Sequence, residues 1–138
     1  MSDKNVSFFI PMKIPSKTFQ AKKITTKNGK AILYKSKELQ DIETDFISRL
    51  SKHKPAEPLI GAIGLSLSWI YGKDHIHKGQ YYKTTKPDLD NLGKLFKDCM
   101  TICGFWKDDS QIVQTTEQKI YGDFEGVYVS YMRLESNQ

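Results

Sequence analysis

Two stretches of the chain repeat apolar residues at the spacing of an amphipathic α-helix. The first follows Ser36, a residue type that suits a helix N-cap. Its apolar positions are Leu39, Ile42, Phe46, Ile47 and Leu50. The second runs from Asp88 to Ile102, and Gly104 can terminate it. Its apolar stripe is Leu89, Leu92, Leu95, Phe96, Cys99, Met100 and Cys103. The spacing predicts two helices, each with one buried face.

Six shorter segments are typical of β-strands. Residues 6–10 form an apolar run before Pro11, and the Asn28-Gly29 turn signal separates a strand from its return strand at residues 31–34. Residues 59–71 alternate apolar and small polar side chains in their second half, which predicts a central strand with one buried face. Residues 111–121 and 127–134 predict the last two strands. The order β-β-β-α-β-α-β-β indicates one α+β domain over residues 1–138, with a small mixed β-sheet and two main helices.

The composition changes this picture through charge. The chain has 138 residues, 38% of them hydrophobic, which suffices for one modest core, and its net charge of +5 favours a polyanionic partner. Residues 11–37 contain no acidic residue but eight lysines: Lys13, Lys17, Lys22, Lys23, Lys27, Lys30, Lys35 and Lys37. A solvated hairpin and an arm that faces nucleic acid are both consistent with this run.

The cysteines and the apolar stretches bear on the compartment. Cys99 and Cys103 lie on the stripe of the second helix, which predicts buried thiols in a reducing compartment. The N-terminus lacks a signal-peptide pattern, and residues 59–71 are too short and too interrupted to span a bilayer. We therefore predict a soluble, cytoplasmic protein without a membrane partner. A different class of function is a zinc-binding interaction module, in which His75, His77 and the two cysteines would bind the ion.

Acidic residues concentrate at the two ends of the second predicted helix. Asp88 and Asp90 lie at its start, and Asp108-Asp109 follow its end. A divalent cation would relieve the repulsion between two ionised carboxylates, and Mg²⁺ suits such oxygen ligands. The helix separates the two pairs by roughly 22 Å. Whether Asp109 joins Asp88 and Asp90 within one chain or across two subunits stays open, and capping or turn formation would also explain these acids.

Lys94 lies one helical turn after Asp90, and Asp98 lies one turn further along the same face. Lys94 can offset negative charge on a phosphate in the transition state. The alternative is an ordinary ladder of ion pairs, worth about 0.2–0.5 kcal/mol per pair.

The order of Asp88, Asp90, Asn91 and Lys94, followed by Trp106-Lys107-Asp108-Asp109, resembles the signature of the RusA family of Holliday junction resolvases, and the likeness covers residues 86–113. The resemblance implies a homodimeric endodeoxyribonuclease that uses Mg²⁺, or Mn²⁺ in its place, and no small-molecule cofactor. It implies paired symmetric nicks in four-way or branched DNA during recombination and repair, in a bacterial host or encoded by its phages.

The resemblance also implies roles for individual residues. Asp88, Asp90 and Asp109 match the metal-coordinating carboxylates, Lys94 matches the catalytic lysine, and Asn91 and Asp108 match auxiliary positions. The lysines expected to contact DNA are Lys13, Lys17, Lys22, Lys23, Lys27, Lys30, Lys83 and Lys86. Tyr81, Tyr82, Phe105 or Trp106 can stack on unpaired bases, although core packing is favoured for the last two. A catalytically silent protein that only binds junctions is the alternative function.

Overall fold

The structure, a computed structural model, describes residues 5–16 and 22–134. Lys17 lies outside these ranges, and β2 and β3 are described by their backbone. The strands are β1 (Val6–Pro11), β2 (Lys22–Lys27), β3 (Lys30–Lys35), β4 (Ile63–Gly72), β5 (Ile112–Gly122) and β6 (Gly126–Arg133). The helices are α1 (Lys37–Leu50) and α2 (Leu89–Cys103), and short 3-10 turns cover Ser51–His53 and Asp109–Gln111. The predicted order of elements is confirmed.

Four of the strands form one mixed sheet in the order β1-β6-β4-β5. Strand β4 runs parallel to β5 and antiparallel to β6, so it is interior, as its alternating sequence predicts. Strands β2 and β3 pair only with each other in the described part of the chain. Asn28 and Gly29, which connect them, have φ values of 53° and 76°. Positive φ at both central positions is what a tight two-residue hairpin turn requires, and asparagine and glycine tolerate it best.

The core lies between one face of the sheet and both helices. Leu65, Leu67 and Trp69 of β4 point into it at alternate positions. The Trp69 ring centroid lies 6.2 Å from that of Phe46 on α1 and 5.2 Å from that of Phe96 on α2. Because the same indole contacts both helices, α1 and α2 cover the same face. The two apolar stripes seen in the sequence therefore meet in one core.

The ends of the elements follow local chemistry. The Ser36 hydroxyl accepts a hydrogen bond from the Leu39 N–H and caps α1, as expected. Gly104 ends α2 with φ of 95°, a left-handed conformation that glycine adopts without strain. Strand β4 begins at Ile63, later than predicted, because Leu59 instead forms an isolated bridge to Trp106. No helix in the described ranges is long and apolar enough to cross a membrane.

Candidate active site

The carboxylate of Asp88 is exposed at the N-terminus of α2. Asp88 occupies the N-cap position, and its backbone oxygen accepts a hydrogen bond from the Leu92 N–H at 3.2 Å. Its side chain, however, makes no capping hydrogen bond. Capping thus explains the backbone at this position but leaves the carboxylate available. Asp90, in the first turn, is also exposed, so both carboxylates lie at the positive end of the helix dipole.

Helix α2 packs unusually closely on β5 just after Asp90. A Cβ atom placed on Gly93 would lie 1.9 Å from Oε1 of Glu117, so only glycine fits there without movement. The Glu117 carboxylate is held by Lys97 Nζ at 2.7 Å and by the Thr115 hydroxyl at 2.9 Å. At Gly93 the helix thus lies closer to the Glu117 carboxylate than a residue with a Cβ atom would allow. Sequence reasoning missed it, although a glycine inside a striped helix was the signal that could have found it.

The chain that leads from β4 to Asp88 runs along the edge of β5. Tyr82 bridges Ile120, and the Lys83 N–H donates to the Lys119 carbonyl at 3.0 Å. The Lys83 ammonium lies 4.8 Å from the centroid of the Tyr71 ring and donates to the Thr85 hydroxyl at 2.7 Å. These contacts tie the loop to the edge of β5 as far as Lys83.

Asp109 lies at the opposite end of α2. Its carboxylate accepts a hydrogen bond from the Thr101 hydroxyl and shares another with Asp98. The Trp106 indole N–H donates to the Thr101 hydroxyl at 3.0 Å, so the buried tryptophan orients the threonine that holds Asp109. Partial burial, followed by the hydrogen bond and the charge of Asp109, raises the pKa of Asp98 to about 6, against the opposing effect of Lys94. Asp98 and Asp109 thus form a close pair of carboxyl groups, in which Asp109 makes ionisation of Asp98 less favourable.

Asp108 shapes the turn that carries Asp109. Its carboxylate accepts a hydrogen bond from the Ser110 N–H at 2.8 Å, and this bond lowers the pKa of Asp108. Gln111 completes the turn, because its side-chain oxygen accepts from the Lys107 and Asp108 N–H groups at 2.9 and 3.1 Å. The amide nitrogen of Gln111 donates to two carbonyls before β4, those of Leu59 and Gly61. The first Asp and the Gln of the Asp-Asp-x-Gln sequence therefore stabilise this turn through their side-chain hydrogen bonds.

Lys94 is exposed on α2, between Asp90 and Asp98 in sequence. The ion pairs among the described residues with N–O distances within 4 Å involve other lysines, arginines and histidines, and neither Asp90–Lys94 nor Lys94–Asp98 is one of them. The ion-pair ladder considered for this face is therefore wrong. The ammonium of Lys94 is left near two acids without being bound tightly to either.

The candidate metal ligands do not all meet within the single chain. Asp98 follows Asp90 by eight residues, a rise of about 12 Å along the helix, and Asp109 lies beside Asp98. Within residues 5–16 and 22–134, no three His, Cys, Asp or Glu side chains are grouped so that they could hold a metal ion. Asp88 and Asp90 alone still fit Mg²⁺, which commonly binds through one or two carboxylates, waters and substrate phosphates.

The remaining predicted residues fall into separate places. Phe105 and Trp106 are fully buried and pack against Tyr131, so core packing is confirmed and base stacking by these two rings is wrong. Tyr81 and Tyr82 are 55% and 61% exposed and remain available. Cys99 and Cys103 lie on α2 outside any disulfide, and their sulfur atoms contact α1. His77, by contrast, lies in the loop after β4, with Nδ1 2.9 Å from Asp74, so the zinc-module residues are not brought together.

The candidate DNA-binding lysines are distributed over the N-terminal segment, the hairpin and the loop before α2. Lys13, Lys30 and Lys86 are exposed, and Lys83 is partly buried. Lys22, Lys23 and Lys27 lie on β2, whose side chains are not described, and Lys17 lies outside the described ranges. Asn91 is half-buried in the first turn of α2, next to Asp90.

Comparisons with known proteins bear on the family of the chain. Residues 13–131 match the family model described as Endodeoxyribonuclease RusA. The chain is 34% identical over 110 residues to the "Crossover junction endodeoxyribonuclease rusA" of Lactococcus phage r1t, which covers 78% of this chain and 82% of that protein. It is also 31% identical over 85 residues to the "Uncharacterized protein YqaN" of Bacillus subtilis (strain 168), covering 53% of this chain and 58% of that protein.

Proposed function

The chain belongs to the RusA family of endodeoxyribonucleases, and we propose that it cuts four-way DNA junctions by metal-dependent phosphodiester hydrolysis. The observation that carries this proposal is the pair of exposed carboxylates, Asp88 and Asp90, at the N-terminus of a helix and beside a loop rich in lysine. Elsewhere in the described chain, Asp45, Asp74 and Glu117 are engaged in ion pairs, whereas Asp88 does not even use its carboxylate to cap its helix.

We propose that Asp88 and Asp90 hold Mg²⁺, or Mn²⁺ in its place. The ion would supply Lewis-acid stabilisation and a more acidic bound water. Lys94 would contribute a cation one turn along the same helix, where it can stabilise the extra charge on the phosphate as the water attacks. The Asn91 amide can donate a hydrogen bond to a phosphate oxygen from the adjacent position. The expected products carry 5′-phosphate and 3′-hydroxyl ends.

We further propose that the active unit is a homodimer in which Asp109 of one protomer completes the site of the other. This proposal is supported by the separation of Asp109 from Asp90 along α2 and by the absence of a three-ligand group within the described part of one protomer. The charge of Asp109, which helps to raise the pKa of Asp98 in the single chain, would be offset by a bound cation. A twofold axis would place two sites on a junction of matching symmetry, which suits paired nicks.

The DNA would contact lysines of the segment after β1, of the β2–β3 hairpin and of the loop before α2. Contacts from Lys13, Lys30 and Lys86 to phosphates predict binding that weakens steeply with salt. The exposed rings of Tyr81 and Tyr82 lie close to Lys83 and Lys86 in the chain and can stack on bases that are unpaired at the crossover. We place this activity in the cytoplasm of a bacterial host, in recombination and repair.

The test is incubation with a synthetic four-way junction whose strands are labelled at their 5′ ends. Symmetric nicks in Mg²⁺, their loss in chelator, and no cutting of a linear duplex of the same sequence are expected. Asp90→Asn should abolish the nicks and preserve junction binding, because it removes one ligand and one negative charge. Junction binding by the parent protein without any nick would favour the catalytically silent alternative, and equal cutting of the linear duplex would contradict junction specificity.

A further inference from the structure

Lys119 is a cation beneath the segment that delivers Asp88, and no motif in the sequence marks it. It lies on β5, two residues from Glu117 and two from Tyr121, so its side chain projects from the same face of the sheet as theirs. Its ammonium donates to the backbone oxygen of Thr85 at 2.6 Å and to that of Pro87 at 2.7 Å. The Lys119 side chain thus binds the carbonyls of two of the three residues that directly precede Asp88.

These contacts are short and charge-assisted, the stronger class of hydrogen bond. Partial burial lowers the pKa of Lys119, the nearby ammonium of Lys83 lowers it further, and the carboxylate of Asp88 acts in the opposite direction. The positive charge of Lys119 therefore interacts with Asp88 as well as with the loop. Because one ammonium binds the backbone oxygens of Thr85 and Pro87 at the same time, neither oxygen can move away without breaking a hydrogen bond. The contact therefore fixes both the position and the direction of the chain entering α2.

The rest of the loop could not provide this constraint. The nearest other backbone ties to β5 lie earlier, where Tyr82 bridges Ile120: the Tyr121 N–H donates to the Tyr81 carbonyl, and the Lys83 N–H donates to the Lys119 carbonyl. The Lys83 ammonium reaches the Thr85 side chain but leaves the backbone of the next residues unheld. Among the described contacts, Lys119 alone links the backbone between Thr85 and Pro87 to the sheet.

We propose that Lys119 is a positioning residue, which holds the backbone before Asp88 so that the Asp88 carboxylate is set beside Asp90 for cation binding. The inference rests on the proposed cation site. The direction in which cation affinity changes when Lys119 is removed distinguishes two roles for it, because a cation near a metal site repels the metal. If Lys119 acted through its charge alone, its removal would strengthen cation binding. If it acts by fixing the backbone, its removal weakens cation binding.

The test uses Mn²⁺ as the probe, without DNA. We expect Lys119→Met to weaken Mn²⁺ binding, followed by electron paramagnetic resonance, by about tenfold, as is common for residues that orient a ligand. Lys119→Arg, which keeps the charge and the donors, should lie within about threefold of the parent. Lys78→Met makes the same charge change at an exposed position of the same loop and should leave Mn²⁺ affinity unchanged. Tighter or unchanged Mn²⁺ binding by Lys119→Met would overturn the proposal.

Two further measurements need no bound metal. In metal-free protein, amide hydrogen exchange in residues 83–90 should be faster in Lys119→Met than in Lys78→Met, while exchange in the core of β4 stays the same. In the parent protein, acetylation followed by mass spectrometry should modify Lys119 far more slowly than Lys78. Acetylation of Lys119 as fast as that of Lys78 in the parent protein would contradict the proposal that Lys119 holds the loop, whether or not the variants fold well. Equal amide exchange in Lys119→Met and Lys78→Met would contradict it as well. A parent protein that binds no Mn²⁺ would instead overturn the proposed function, and these two measurements would still decide whether Lys119 anchors the loop.

Discussion

Replacing Gly93 with alanine tests how closely α2 must approach β5 to carry the candidate site. In an ordinary exposed helix this change would stabilise the protein by about 1 kcal/mol, because alanine has the higher helix propensity. Here the new Cβ would lie 1.9 Å from Oε1 of Glu117 and 2.9 Å from its Cδ. The carboxylate would have to retreat by at least about 1.5 Å to reach ordinary van der Waals contact.

That retreat breaks the contacts that hold Glu117. The carboxylate is 2.7 Å from Lys97 Nζ, the two side chains are only 15% and 21% exposed, and Thr115 donates to it at 2.9 Å. Losing hydrogen bonds to a partly buried charge costs about 2–3 kcal/mol, to which the Thr115 bond adds about 0.5–1 kcal/mol. After subtracting the propensity gain, we expect Gly93→Ala to lower the free energy of unfolding by about 2 kcal/mol. For 138 residues this corresponds to a fall in Tm of about 7 °C.

Urea unfolding followed by circular dichroism at one fixed protein concentration measures this difference. The matched control makes the same glycine change in a Glu117→Ala background, where no carboxylate opposes the new methyl group. There the substitution should stabilise by about 0.5–1 kcal/mol, so its sign reverses. If Gly93→Ala stabilised both backgrounds equally, the close contact between α2 and Glu117 would not exist as described.

Two other substitutions probe the far end of α2. The raised pKa of Asp98 means that the folded state holds a proton that the unfolded chain has released, so stability falls as pH rises from about 4 to about 6. This cost of ionising Asp98 comes first from partial burial, is increased by Asp109 and Glu43, and is reduced by Lys94. Asp98→Asn removes the cost, so after discounting for solvent exposure it should stabilise by about 1 kcal/mol at pH 7.5 and by almost nothing at pH 4. Equal urea midpoints for the two proteins at pH 7.5 would refute this. Gln111→Ala removes four hydrogen bonds and should destabilise by about 2–3 kcal/mol, with Gln111→Glu intermediate because it keeps the acceptor and loses the donor; equal unfolding energies for the two variants would contradict this, because they would show that the side-chain acceptor contributes nothing.

Much of the fold could be predicted because local chemistry agrees with it. Ser36 caps α1, Gly104 ends α2, and the Asn28-Gly29 turn joins two strands, each for a reason that lies within a few residues of sequence. The pairing of strands depends on distant contacts instead. Nothing near Ile112 states that β5 lies parallel to β4, and nothing near Lys22 states that the hairpin forms its own sheet.

The candidate site divides in the same way. Residue type and order singled out Asp88, Asp90, Lys94 and Asp109, but they could not show where Asp109 lies. Its position depends on a hydrogen bond from Thr101, whose hydroxyl is in turn oriented by a buried indole. Lys119 and Glu117 escaped notice because a charged residue on a strand is usually solvated, and only the packed structure shows that each has a fixed partner beside α2.

The central claim is that one metal-dependent nicking site takes Asp88 and Asp90 from one protomer and Asp109 from the other. Its most direct test is a mixed dimer of Asp90→Asn and Asp109→Asn protomers, isolated with two different affinity tags. If the site is shared, both defects fall in one site, the other site is intact, and the mixed dimer nicks one strand of a four-way junction in Mg²⁺, although each mutant homodimer is inactive. A mixed dimer as inactive as both homodimers would contradict the shared site, because each protomer would then carry its own damaged set of ligands.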